Sequence, residues 1–161
     1  MRTEVWRLLE DHDGVVTRGQ LVEVVPHHVI DRAVSGGSLV RVYPQTYADP
    51  ELLVDTRTLP RAALAYAGAG AALSHLSGLS QWDLPVPPTE AVHILTGRDR
   101  QLRGAPDLLV HRRAGFVAEP PHAVLRHGLY TVGLDQCLID SWPLLPETTN
   151  ERRCSWRCRI G

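Results

Sequence analysis

The sequence predicts an α+β fold in two parts. Three short helices and a hairpin fill residues 1–48, and a small mixed α/β domain follows over 49–146. Two observations predict it. Apolar residues recur at helical spacing from Val5 to Val34, and the period drops to two from Ser38 to Tyr43. Asp49-Pro50 then opens an acidic, polar connector that lasts until periodicity resumes at Arg61.

The first helix starts after Thr3, which can cap it, with Val5, Leu8 and Leu9 on its apolar side. Asp11, Asp13 and Gly14 end it, and Val15-Val16 forms an extended link. Thr17 opens the second helix with Gln20 three residues on, the spacing of a capping box, and Leu21 and Val24 supply its buried face. Val25-Pro26 makes a turn, with Pro26 tolerated in the first turn of a third helix. That helix runs from His27 to Ser35. Val29, Ile30, Ala33 and Val34 form one stripe; His28, Asp31, Arg32 and Ser35 fall on the opposite face. Gly36-Gly37 stops it. A strand over 38–43, a Pro44-Gln45 turn and a return strand over Thr46-Tyr47-Ala48 complete the order of a winged helix-turn-helix.

In that fold the third helix enters the major groove of DNA and the wing touches the backbone. The candidate contacts are therefore His28, Arg32 and Ser35 to bases, Arg41 on the wing to phosphate, and Arg18 to a phosphate near the start of the second helix. Charge pulls the other way. The formal net charge of the 161 residues is -1, residues 1–48 carry five arginines against six acids, and Asp31 shares the face of His28 and Arg32. A winged helix that docks protein is the alternative.

In the second part, Arg61 to Ala67 reads as a helix broken by Gly68-Ala69-Gly70. Ser74 caps another, with Leu76, Leu79 and Trp82 apolar and Pro85-Val86-Pro87-Pro88 beyond its end. Strands are expected over 91–95, 108–111, 124–126 and 129–132, and a helix over 135–142. His93 and His111 fall on neighbouring strands, either as half-buried packing residues or as two ligands of a metal, and no metal site is assigned. Ser74-His75 is not read as a nucleophile and its base. The loop 97–104 holds Arg98, Arg100 and Arg103, suited to nucleic acid, to an acidic partner or simply to solvent. From residue 147 the chain turns basic and aperiodic, and is expected to be a disordered tail; Cys154 and Cys158 there are too few for a structural zinc site without partners elsewhere.

Every basic residue besides histidine is arginine. Without lysine there is no P-loop, Schiff-base nucleophile or lysine-dependent nuclease centre, so no catalytic residue and no cofactor is assigned and the chain is not read as an enzyme. The three cysteines make no disulfide framework, and the N-terminus lacks an apolar signal core, so a cytoplasmic protein is expected.

The runs 13–21 (DGVVTRGQL), 28–33 (HVIDRA) and 39–47 (LVRVYPQTY) resemble the N-terminal domain of AbiEi-type antitoxins, the abortive-infection, type IV toxin–antitoxin proteins, of which many occur in actinobacteria. Leu73-Ser74-His75 with Leu79 and Trp82, and Leu138-Ile139-Asp140, are similar to later blocks of such chains. The resemblance implies a winged-helix DNA-binding domain and a following α+β domain. It also implies autorepression of a two-gene operon at inverted repeats, and the countering of a nucleotidyltransferase-like toxin without a stable toxin complex. Three departures stand out. Gln45 occupies a wing position where relatives often have glycine, Asp83 replaces a usual glycine, and Gly133-Leu134-Asp135-Gln136-Cys137 replaces a Thr-Pro-x-Arg-Thr type run. Related chains often continue into another segment, sometimes repair-endonuclease-like, so a shortened member or a non-catalytic remnant of such a fusion is a further expectation.

Overall fold

The computed structural model describes residues 2–145, which form six α-helices and two β-sheets. The expected tail, with Cys154 and Cys158, lies outside the described residues. Among those described, no helix is long and apolar enough to cross a membrane.

Helix α1 spans Arg2–Asp11, so it begins ahead of Thr3, which lies inside the helix and not before it. Strand β1 (Val15–Thr17) is the extended link, promoted to a sheet strand by pairing with β3 (Thr46–Ala48). Helix α2 (Arg18–Val24) opens on the expected capping box. Thr17 Oγ1 accepts from the Gln20 backbone N–H, and the Gln20 side chain returns to the Thr17 N–H at 2.8 Å. Helix α3 covers His27–Ser35, with Pro26 as its N-cap residue, one position ahead of the expected first turn. Its end is a Schellman motif: Gly37, at φ 73°, donates to Val34 O, and Ser38 donates to Ala33 O at 2.9 Å. β2 (Val40–Tyr43) pairs antiparallel with β3, and the sheet order is β1-β3-β2. Val5, Leu9, Val16, Leu21, Val25, Ile30, Leu39 and Tyr47 form the core under the three helices.

The connector is short. Pro50–Val54 makes a 3-10 turn capped by Asp49, and α4 (Thr58–Ala67) begins with a buried threonine whose hydroxyl donates to Leu52 O at 2.6 Å. Next come β4 (Ala72–Leu73), α5 (His75–Gln81), β5 (Val92–Gly97), β6 (Leu108–Arg113), β7 (Ala123–Arg126), β8 (Leu129–Val132) and α6 (Leu134–Ser141). The second sheet runs β6-β5-β4-β8-β7. β5–β6 and β4–β8 are parallel pairs; β4–β5 and β7–β8 are antiparallel.

Alternation along β5 sends Val92 and Ile94 into a core with α4, and Leu95 into a core with α5 and α6. The first of these cores does not stop at the boundary read after Ala48. Val15, Tyr43 and Ala48 of the N-terminal sheet share it with Ala62, Ala63 and Ala67 of α4 and with Ile94 and Leu108 of the second sheet. α4 is thus an alanine-rich layer buried between two sheets.

Candidate functional site

The stripe of α3 behaves as its spacing requires: Ile30 is buried, while His28, Asp31, Arg32 and Ser35 are exposed on one face. Ser35 Oγ donates to the Arg32 carbonyl at 3.2 Å, a local bond at the helix end. Arg41 is exposed on β2 opposite Tyr47 in the ladder, beside a register shift before Tyr43. These four candidates therefore reach solvent from two adjacent elements.

Arg18 is placed differently from the other candidates. Its guanidinium lies 3.1 Å from Tyr47 Oη, to which it donates, and within 3.2–3.3 Å of Asp31 Oδ1; His27 Nδ1 is 3.4 Å away. The Tyr47 hydroxyl, and then Asp31, hold its charge in place and raise its pKa further. The arginine ties the start of α2 to the outer face of α3. In doing so it pairs with the carboxylate on that face. The clamp escaped the sequence reading because Arg18 stands 13 residues from Asp31 and 29 from Tyr47.

The β2–β3 turn is held by Gln45, at φ 58°, whose carbonyl accepts from the Arg18 N–H at 2.8 Å. Asp83, at φ 58°, occupies a second left-handed position. Both are left-handed backbone positions that favour glycine. The Asp83 carboxylate meets Arg126 at 2.9 Å and His127 at 3.4 Å, and its pKa is lowered, first by the His127 hydrogen bond. Arg126 also lies 4.3 Å above the Trp82 ring. The arginine loop is tied down as well. Arg112 donates to the carbonyls of Arg100 and Leu102, and Tyr66 donates to that of Arg103.

A second constellation lies on the α5–α6 side of the second sheet. His93 and His111 do stand on neighbouring strands, and His93 Nδ1 is 3.1 Å from His111 Nε2. The first residue of α5, His75, joins them. Its ring stacks on His111 at 3.6 Å between centroids, and its Nδ1 is 3.0 Å from Ser74 Oγ. One ring nitrogen from each of the three lies within 4.8 Å of the others. His93 is 3% exposed. Burial first, and then the proximity of His111, push the pKa of His75 and of His93 down to about 4; burial also lowers that of His111, against Asp140. Burial thus disfavours the charged form of all three imidazoles.

His75 adopts φ 48°, a left-handed conformation that costs a side-chain-bearing residue roughly 1–2 kcal/mol. Asp140 is held by Arg113 at 2.9 Å and by Gln136 at 2.7 Å. Strand alternation made the His93–His111 pair legible. His75 was missed because its approach depends on how α5 packs. Comparison with family models and with curated proteins finds no match for this chain.

Proposed function

We propose that residues 1–48 are a winged helix-turn-helix and that the chain is a cytoplasmic, non-enzymatic DNA-binding regulator. On this reading it is an AbiEi-like antitoxin that represses its own operon and counters a nucleotidyltransferase-like toxin. The observation that carries the DNA-binding part is the exposed polar face of α3, with His28, Arg32 and Ser35 beside Arg41 of the wing. The helix–strand–helix–helix–hairpin order supports it, and so does the short Val25-Pro26 turn between α2 and α3. The antitoxin part rests on the resemblance of the three N-terminal runs.

The mechanism is occlusion of a promoter without chemistry. A homodimer on inverted half-sites presents two recognition helices about one turn apart, roughly 34 Å. Arg32 and His28 read base edges, Ser35 assists, and Arg41 neutralises a phosphate. Arg18 orients α3 through Asp31 and Tyr47 and adds little free charge of its own.

The test is a salt titration of binding to the protein's own promoter fragment against scrambled DNA. The expected result is promoter-selective binding that weakens steeply with salt. Arg32→Ala is expected to lose about 1–3 kcal/mol of specific binding and little non-specific binding; equal loss on both removes Arg32 from base readout. Arg41→Ala should lower the salt slope by about one, and an unchanged slope removes its phosphate contact. Absence of binding even at low salt favours the second reading, a winged helix that docks a protein. That reading draws on the six acids against five arginines of residues 1–48.

A further inference from the structure

We propose that His75, His93 and His111 form a binding site for a divalent transition-metal ion of the zinc class. Three separate elements, the start of α5 and the adjacent strands β5 and β6, deliver one imidazole each to the same spot. In a tetrahedral zinc site with Zn–N bonds of ~2.0–2.1 Å, neighbouring ligand nitrogens stand about 3.3 Å apart. His93 Nδ1 and His111 Nε2 are already 3.1 Å apart. The third nitrogen lies within 4.8 Å, so the triangle closes with a shift of up to about 1.5 Å.

The assignment of atoms follows from the hydrogen bonds. With Nδ1 of His75 beside Ser74 Oγ, its Nε2 is the nitrogen left for the ion. Coordination requires the His75 ring to turn from its stack on His111, a rotation about χ2, whose well is broad. The left-handed backbone of His75 is the second independent sign. Strain of that kind gathers at sites where a side chain must be held in one direction.

The donor set selects the ion. Three imidazoles without a coordinating carboxylate suit zinc, copper, nickel or cobalt and disfavour magnesium and calcium. His75 and His111 are only half-buried, so a fourth position opens toward solvent for water or an exogenous ligand.

The experiment uses the full chain, stripped with a chelator and titrated with Co²⁺ and then Zn²⁺. The expected result is one equivalent bound per chain, the visible absorption of four-coordinate Co²⁺, and its loss when Zn²⁺ displaces it. On the unaltered protein, Zn²⁺ should shift the imidazole NMR signals of three of the eight histidines, and this readout needs no variant to fold. His93→Ala and His111→Ala, each checked for folding by circular dichroism, should weaken binding by more than the roughly 10–100-fold that loss of an outer partner costs. The exposed pair His27→Ala/His28→Ala should leave binding unchanged. Octahedral Co²⁺, shifts confined to exposed histidines, or retention of the ion by folded His93→Ala protein would overturn the assignment.

Discussion

At the scale of single residues, one carboxylate decides how the outer face of α3 presents itself. Asp31, 64% exposed at its side chain, both repels phosphate and holds the guanidinium that would offset it. Asp31→Asn removes the repulsion and frees Arg18 together. If the face binds DNA, the variant should bind more tightly and gain about one in salt slope, read by the same titration. An unchanged affinity would mean that nucleic acid does not approach this face. Gly78 is the residue-scale counterpart in the second part. A Cβ there would collide with Cys137 Sγ at the α5–α6 contact. Gly78→Ala should cost about 1–3 kcal/mol in denaturant unfolding, and Cys137→Ala in the same chain should recover much of it.

Among elements, the β2–β3 turn and the turn after α5 make a matched comparison. Gln45 and Asp83 share φ 58°, but only Asp83 has side-chain partners to hold it there, Arg126 and His127. Gln45→Gly is expected to raise stability by about 0.5–1 kcal/mol in thermal or denaturant unfolding, because it relieves the left-handed strain. Asp83→Gly should gain less or nothing. A larger gain at Asp83 would show that its ion pairs contribute little. The elements legible in the sequence were those set by local chemistry. The Thr17–Gln20 box, the 27–35 helix and its Gly36-Gly37 stop each depend on neighbours within a few residues. β4 was not legible, since two residues become a strand only through partners in β5 and β8. The sites divide the same way. The face of α3 follows from helical period and the His93–His111 pair from strand alternation, whereas the Arg18 clamp and the approach of His75 come from tertiary packing.

For the whole molecule, the shared core governs how the chain unfolds. Val15, Tyr43 and Ala48 are buried against the same α4 that packs on β5. Residues 2–145 are therefore expected to melt in one cooperative transition, and a fragment ending at residue 48 should lose its sharp transition, because that face would be left in water. Two well-separated transitions in differential scanning calorimetry would instead make the two parts independent. The alanine layer also has a geometric consequence. Where Ala62, Ala63 and Ala67 meet the sheets, each adds a single methyl to the shared core, so the two parts approach closely along α4. On the proposed DNA-binding reading, the recognition helices of a dimer would keep a fixed phase, and half-sites moved by half a helical turn would face away from them.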